Sequence, residues 1–330
     1  MTSVPAKPAS PLANHIFDNY SSLAGVYDEM FDSAGAIRAS WKPFAESVEG
    51  LGREEISRRW QQAQEEVREN GITYNAYEDV NGNTRPWELD AFPLVIAPQE
   101  WAQLTIGLRQ RAELLDRILR DLFGPQTLLQ QGLLPADWLF SHPGFHREFH
   151  RQGVRDNRFL HLYAVDLARA PDGRWWVAGD RTDAPLGVGY ALENRVVMSR
   201  MLPKVMRDCK VERLASFFIS LRKTLGELAP HRENPRIVIL THGPTGPNYF
   251  EDAYLARYLG YTLVEGGDLA VRDDRVFMKT LAGLLPVDVI FRRLSDEYCD
   301  PLELGGDPAF GVPGLLQAAR LGNVTIANSL

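Results

Sequence analysis

The chain has 330 residues, 45% hydrophobic and 10% aromatic, which is enough for one large domain or two of ordinary size. Its formal net charge of −7 gives no reason to expect a nucleic acid or an anionic membrane surface as a partner. Cys209 and Cys299 lie far apart without metal-ligand spacing, which favours reduced thiols and a cytoplasmic location. No apolar run is long enough to predict a membrane span.

The first part of the chain is predicted to be helical and then extended. Residues 1–15 contain several prolines and no apolar segment, which predicts a flexible lead-in. Residues 16–70 are predicted to be helical, most clearly over their charged second half. Residues 72–97 are predicted to be extended, with Asn81-Gly82 as a turn signal. A leucine-rich stripe then predicts a long helix that ends at Gly124-Pro125.

The stretch LHLYAVDLARAPDGRWWVAGDRTDAP, residues 160–185, contains the strongest functional signal. Two strand-like runs flank Ala-Pro-Asp-Gly and predict a β-hairpin. Asp166, expected to be buried, lies on the first strand, and Asp180 lies near the end of the second. Carboxylates on neighbouring strands commonly hold Mg²⁺ against nucleotide phosphates, so the hairpin is a candidate metal site.

The last third of the chain has a different pattern. An amphipathic helix is predicted over 211–228, and the polar, proline-bounded residues 229–235 mark the best domain boundary. After it, the buried-strand pattern RIVILTH, a loop, the helix YFEDAYLARYLG and the strand YTLVEG predict an α/β unit with a parallel sheet. We therefore predict a helical and antiparallel-strand part over 16–228 and an α/β domain over 232–330.

Long motifs in this chain resemble those of a known family. THGPTGPNYFEDAYLARYLGYTLVEGGDLAVRDDRVFMKT is similar to the middle of the circularly permuted ATP-grasp proteins, especially type 2. The similarity continues through PVDVIFRRLSDEYCDPLEL and GNVTIAN, and it also covers TRPWELD, GLRQRAELLDRILRDLFGPQ, SHPGF and LHLYAVDLARAPDGRWW. It spans about residues 70–330.

The resemblance implies a permuted ATP-grasp architecture. A metal-binding α+β part with the hairpin comes first, and a Rossmann-like pre-ATP-grasp domain follows at 232–330. Family members then continue with a subdomain that carries nucleotide-gripping lysines, so the chain is interpreted as the first two parts of such a protein. The missing segment, or a partner chain that supplies it, is an expected partner.

The resemblance also implies a reaction class. ATP-grasp ligases use ATP and Mg²⁺ to activate a carboxylate as an acyl phosphate, which an amine then attacks with formation of a peptide or amide bond. Small-molecule or peptide carboxylates and amines are the expected substrates. The alternative is a non-catalytic relative that binds a peptide or a partner subunit. A glutathionylspermidine-synthetase-like amidase is less favoured, since no domain with a nucleophilic cysteine is present.

The family's metal ligands map only partly onto the hairpin. They are an Asp or Glu on one strand and Glu-x-Asn on the next, about 13 residues further on. Asp166 fits the first position. Gly179 and Arg181 stand where the Glu and the Asn would be. The resemblance therefore implies an altered metal site.

Two replacements for the missing ligands are open. Asp180 would supply a carboxylate if a β-bulge shifted the strand. Alternatively, Glu193-Asn194 would turn inward from the element that follows the hairpin. In the competing interpretation Asp166 forms a buried salt bridge with a nearby arginine, Arg181 or Arg195.

Arginines and one loop complete the candidate site. Arginine binds phosphates and carboxylates bidentately. The predicted catalytic cations are Arg181, Arg195, Arg292 and Arg293, and the predicted cofactor-binding residues are Arg85, Arg147, Gly243, Gly246, Asn248 and Glu251. Alternation along a strand favours one member of the Arg292/Arg293 pair. The loop 243–248 links a buried strand to a helix, where backbone N–H groups receive anions. Surface salt bridges for the arginines, a capping role for Glu251 and simple packing for Trp175-Trp176 are the competing interpretations.

Overall fold

The computed structural model describes residues 16–18, 20–75, 84–151 and 158–328. The predicted lead-in and the Asn81-Gly82 turn lie outside these ranges. Within them, no helix combines the length and the apolar character that a membrane crossing requires.

The segment that precedes the first helix is a series of turns, so the helical prediction for 16–70 was wrong over its first half. Asp28 and Asp32 are the physical reason. Each carboxylate accepts hydrogen bonds from two backbone N–H groups two to four positions further on, at 2.7–2.9 Å. Such local bonds compete with the helical ladder. The elements that follow are α1 (Lys42–Glu49), α2 (Arg53–Glu69) and the short antiparallel strands β1 (Thr73–Asn75) and β2 (Thr84–Pro86).

The predicted long helix and hairpin are both present. The elements are α3 (Pro98–Leu122), the short helices α4 (Thr127–Gln130) and α5 (Ala136–Phe140), and the antiparallel strands β3 (Ala164–Arg169) and β4 (Trp175–Arg181). Asp166 pairs with Gly179 and Leu167 pairs with Val177, so Ala178 is an extra residue in β4. This β-bulge lies beside the predicted metal ligands.

Three helices connect the hairpin to the second part of the chain: α6 (Val188–Met201), α7 (Pro203–Asp208) and α8 (Ala215–Glu227). The tyrosine at 190 and the apolar side chains near the end of α6 pack with α1, α2 and α7 in one core cluster. By contrast, α8 packs with the strands of the second part. The helix immediately before the predicted boundary therefore covers the α/β sheet.

The second part is the predicted α/β unit. Its elements are β5 (Ile237–Leu240), α9 (Tyr249–Leu259), β6 (Thr262–Val264), the antiparallel strands β7 (Leu269–Arg272), β8 (Arg275–Thr280) and β9 (Gly283–Pro286), then β10 (Val289–Arg292), α10 (Leu315–Arg320) and β11 (Thr325–Ala327). The parallel sheet has the order β11-β10-β5-β6.

Both faces of the parallel sheet are buried, as the continuous apolar runs predict. Ile237, Ile239, Val289 and Phe291 face the core that contains α8 and α9. Val238, Leu240 and Ile290 face the core that contains α10 and the β7–β9 sheet. In the sheet, β6 lies on one side of β5 and β10 lies on the other. The connections that follow β5 and β6 therefore lead to opposite sides of β5. Ligands of open α/β sheets bind at the carboxyl ends of strands at such a point.

Candidate functional site at the base of the hairpin

One buried side chain ties the base of the hairpin to the carboxyl edge of the parallel sheet. Asn328, directly after β11, accepts hydrogen bonds from the backbone N–H groups of His161 (2.8 Å) and Leu162 (2.7 Å). Its amide group donates to the carbonyl oxygens of Leu162 (2.6 Å), Thr182 (2.8 Å) and Asp183 (3.2 Å). The chain is therefore held both where it enters the hairpin and where it leaves it.

Arg292, at the end of β10, reinforces this joint. Its guanidinium donates to the carbonyl oxygens of Asn328 and Leu294, both at 3.0 Å. It also pairs with the Asp183 carboxylate at 2.5 Å, and its side chain is only 1% exposed. All three contacts are to the protein itself, so the structure shows an anchoring role for Arg292, and its catalytic role stays a prediction.

Arg293 makes the equivalent connection on the other face of the sheet. It donates to the Asp252 carboxylate at 3.0 Å and to the carbonyl oxygen of Pro185 at 2.5 Å. It lies 3.0 Å from the Glu251 carboxylate, an ion pair by distance but without hydrogen-bond geometry. The side chain is fully buried. Burial raises the pKa of Asp252 to about 6, although Arg293 acts in the opposite direction.

Glu251 stabilises the start of α6. Its carboxylate accepts hydrogen bonds from the N–H groups of Gly187 and Gly189, at 2.8–3.0 Å. A Cβ atom on Gly189 would lie 2.7 Å from the Glu251 side chain, so only glycine fits there. The carboxylate sits where a helix dipole favours negative charge. The sequence left a capping role for Glu251 open, and in the structure Glu251 caps α6. The predicted contact of Glu251 with a cofactor stays a prediction.

Asp180 is held on the side of the hairpin that faces α3. Its carboxylate accepts two hydrogen bonds from Arg111, at 2.6 and 2.7 Å, and one from the Tyr163 hydroxyl at 2.6 Å. The Arg111 guanidinium lowers the pKa of Asp180 to about 2. The bulge predicted for Asp180 is present, but the carboxylate is turned towards α3.

The other side of the hairpin is open. Asp166 and Arg181 form an ion pair on it at 2.8 Å, with side chains 51% and 65% exposed. The burial predicted for Asp166 is therefore wrong: alternation along β3 directs it outward, where the pair with Arg181 is solvated. Trp176, which is 58% exposed, and two alanines, Ala168 and Ala178, lie on the same open face. A Cβ atom added at Gly179 would lie 3.2 Å from a carboxylate oxygen of Asp166.

The predicted ligands on α6 face away from the hairpin. Glu193 is buried, accepts a hydrogen bond from Asn70 at 3.0 Å and is also bonded to the Tyr254 hydroxyl. Asn194 accepts a hydrogen bond from the Trp87 indole at 2.8 Å. These contacts join α6 to α2, to α9 and to the segment after β2.

Arg195, the predicted cation on α6, donates at 2.5 Å to the carbonyl oxygen of Glu212. Burial lowers its pKa. Like its two neighbours on α6, it contacts protein groups and not the open face of the hairpin.

The described residues do not assemble a magnesium site. No cluster of three or more His, Cys, Asp or Glu side chains positioned for a metal occurs among them. The predicted ligands lie on three separate surfaces, and each is bonded to another protein group: Asp166, Asp180, Glu193 and Asn194. We therefore assign no step to Mg²⁺ in this arrangement.

The Glu265 carboxylate lies next to the loop that follows β5. Gly243 adopts a φ of 84°, and a Cβ there would lie 2.7–3.0 Å from the Glu265 carboxylate. Gly246 closes the loop by donating its N–H to the carbonyl oxygen of Gly243 at 2.9 Å, and Asn248 precedes α9. Because Glu265 brings a negative charge to this loop, it opposes the anion binding predicted here, which no observation tests directly.

The predictions for Arg85 and Arg147 have different outcomes. Position 85 pairs with Tyr74 between β1 and β2, but its side chain lies outside the described part of the structure. Arg147 lines a separate pocket with residues from 126–150. The structure thus brings Arg292 and Arg293 to the base of the hairpin and places Arg181 on its open face. Arg147 and Arg195 lie elsewhere.

Sequence reasoning missed three residues that position the hairpin: Asn328, Arg111 and Asp252. Asn328 had a usable signal, since a polar residue directly after a buried parallel strand lies at the edge where ligands and loops meet. Arg111 had none, because it is one of several arginines on the exposed surface of α3.

Similarity to known proteins extends over most of the chain. A family model described as circularly permuted ATP-grasp type 2 matches residues 93–330. An uncharacterized protein of Mycobacterium tuberculosis is 37% identical over 324 residues, which are 96% of this chain and 37% of that protein. An uncharacterized protein of Synechocystis is 36% identical over 304 residues, 92% of this chain and 63% of that protein. One of Mycobacterium leprae is 34% identical over 330 residues, 98% of this chain and 57% of that protein. The chain thus spans between 37% and 63% of the length of these relatives.

A solved structure gives a weaker similarity. A glutathione synthetase-like effector from Globodera pallida, in its apo form, aligns with a TM-score of 0.46 and 15% identity. The alignment covers 82% of this chain and 64% of the effector.

Proposed function

Because the chain belongs to the circularly permuted ATP-grasp type 2 family, we propose that it takes part in ATP-dependent ligation of a carboxylate to an amine. In the proposed reaction a carboxylate oxygen attacks the γ-phosphorus of ATP and ADP leaves. The amine nitrogen then attacks the acyl carbon of the acyl phosphate, phosphate leaves, and a peptide or amide bond remains. A cytoplasmic location is part of the proposal and is supported by the free thiols of Cys209 and Cys299.

The observation that carries the proposal is the open face of the hairpin. It presents an exposed indole at Trp176 and an exposed guanidinium at Arg181, above a floor that includes Ala168 and Ala178. An aromatic side chain offers a surface on which a nucleotide base stacks, and an arginine offers a cation for its phosphates. The small side chains leave room for it to lie flat.

The ion pair on this face gives the binding a chemical consequence. A phosphate that pairs with the Arg181 guanidinium competes for it with the Asp166 carboxylate. An exposed ion pair contributes little to stability, so it is easily exchanged. The anchored base of the hairpin, held by Asn328 and Arg292, keeps the face in place during this exchange.

The test is ATP binding by the 330-residue chain, measured by calorimetry with and without Mg²⁺. Arg181→Met should weaken ATP binding by about tenfold or more, because it removes a charge-assisted contact. The matched control is Arg58→Met, which removes an exposed arginine of α2 that pairs with Glu55. It should change the affinity less than about twofold, as expected for a surface salt bridge. Equal ATP binding by the native chain and Arg181→Met would refute the assignment of this face.

The alternative, a non-catalytic relative that binds a peptide or a partner subunit, is favoured by one observation. All four predicted metal ligands are engaged by protein groups, as described above. Incubation with ATP, Mg²⁺ and a panel of amino acids, polyamines and peptides separates the two functions. ADP formation that depends on an amine supports the ligase, whereas ATP binding without ADP formation supports the binding module.

A further inference from the structure

A pocket lies outside the hairpin, in the segment between α3 and β3. It has a volume of about 300 Å³ and is lined by five residues: Gln126, Phe140, Phe145, Arg147 and His150. No residue of the hairpin lines it. The proposed nucleotide face and this pocket are therefore distinct surfaces.

Arg147 supplies the charge of the pocket. Its guanidinium carbon lies 4.9 Å from the centre of the Phe140 ring, a cation–π distance. Across the described ranges, the structure gives this guanidinium neither a carboxylate partner nor a hydrogen bond. It differs in this from Arg181 and Arg174, which both pair with carboxylates. A stacked guanidinium keeps its N–H edge available for a planar anion.

Two walls of the pocket are aromatic: Phe145 packs against the core, and Phe140 is 41% exposed. The rings of Phe140 and Phe145 meet edge to face with their centres 5.6 Å apart. Phe145 also packs on Phe123, a buried core residue, at 5.1 Å. The pocket therefore has an apolar, fixed wall next to its single cation.

Two histidines fix the loop that carries Arg147. His146 bonds to the Asp296 carboxylate at 2.8 Å, which attaches the loop to the segment after β10. His150 donates from Nε2 to the carbonyl oxygen of Gly124 at 2.9 Å, because a carbonyl can only accept. These two bonds thus hold the loop with Arg147 in a fixed position next to the aromatic wall.

From this arrangement we infer that the pocket binds a small organic acid, with its carboxylate on Arg147 and its apolar body against Phe140 and Phe145. One arginine matches the single charge of a carboxylate, and its planar fork binds both oxygens. A phosphate carries more charge than this one cation balances and offers nothing to the aromatic wall. The inference stands on its own observations and does not depend on the proposed ligase function.

The test uses 3-phenylpropionate as the probe, titrated into the full chain while the aromatic and methyl signals are followed by NMR. Its uncharged amide and inorganic phosphate are titrated in parallel. The acid should bind about tenfold or more tightly than the amide, as a charge-assisted bidentate contact implies. Arg147→Met should weaken binding of the acid by a similar factor, Arg147→Lys should restore only part of it, and Arg174→Met, the control, should leave it unchanged.

Each contrary result has a definite meaning. Equal binding of the acid and the amide, or equal binding by the native chain and Arg147→Met, would overturn the inference. Saturable binding of inorganic phosphate that Arg147→Met abolishes, without binding of the acid, would also overturn it and assign a phosphate site. Thermal unfolding of each variant shows whether it is folded. Phe140→Leu removes the aromatic ring but keeps an apolar wall, so it tests the pocket without altering its charge. Loss of ATP binding in Arg181→Met leaves this pocket intact, so failure of one proposal is distinguishable from failure of the other.

Discussion

Asn328 offers the most decisive test of how the hairpin is held. Its side chain forms five hydrogen bonds with backbone groups on both sides of the hairpin, and it is 2% exposed. Asn328→Ala removes all five and leaves partly buried N–H and C=O groups without these partners. Each unsatisfied buried group costs about 1–3 kcal/mol, and water entering the space recovers part of the loss. We therefore expect the free energy of unfolding to fall by about 4 kcal/mol.

The measurement is urea unfolding followed by circular dichroism, with Asn323→Ala as the control. Asn323 is exposed, lies on the turn before β11 and makes one side-chain hydrogen bond, to the carbonyl oxygen of Asp274 at 2.8 Å. Its replacement should change the free energy of unfolding by less than about 0.5 kcal/mol, as is usual for surface positions.

Hydrogen exchange gives the spatial part of the same test. The amides of His161 and Leu162 should lose protection in Asn328→Ala, whereas those of the β5 strand should follow only the global change in stability. If Asn328→Ala costs no more than Asn323→Ala, the joint described here does not hold the hairpin.

Two further predictions concern the buried groups around Arg293. Gly189→Ala should destabilise the protein by about 1–3 kcal/mol in urea unfolding, because the new Cβ meets Glu251 at 2.7 Å. Gly107→Ala, in the open middle of α3, should instead stabilise it by about 0.5–1 kcal/mol, and equal effects would contradict the argument. Asp252 has a folded-state pKa raised from 3.8 to about 6, so its contribution to stability is fully present below the lower value and is lost as the pH rises through the higher one. The free energy of unfolding of the native chain minus that of Asp252→Asn should fall by roughly 2–3 kcal/mol over this interval, and a constant difference would refute it.

The sequence predicted those parts of the fold that short-range patterns determine. The turn at 170–173 with flanking strand residues identifies the hairpin, and the apolar run at 237–240 identifies a strand buried on both faces. The same reasoning failed at 16–41, where helical spacing is outweighed by the Asp28 and Asp32 turns. A helix prediction weighs apolar periodicity, whereas these turns depend on single carboxylates that bond nearby N–H groups.

The contacts at the base of the hairpin were beyond prediction for a different reason. Asn328 and Leu162 are 166 positions apart, and Arg293 reaches Pro185 across 108. No local pattern specifies such a pair. Exposure was also misjudged. Asp166 was expected to be buried because its neighbours are apolar, but this hairpin has one face that contacts side chains of α3 and one face that is open.

Several charged side chains anchor the hairpin to the rest of the protein. Two strands alone are marginally stable in water, so β3 and β4 need external support. Arg169 gives it on the α3 side, where it pairs with Glu29 and Glu100 and stacks on the Trp175 ring at 3.9 Å. Asn328 gives it at the base. With one face and one end fixed in this way, the remaining face is not needed to hold the hairpin in place. A ligand can therefore replace the exposed Asp166–Arg181 pair on that face at little cost in stability.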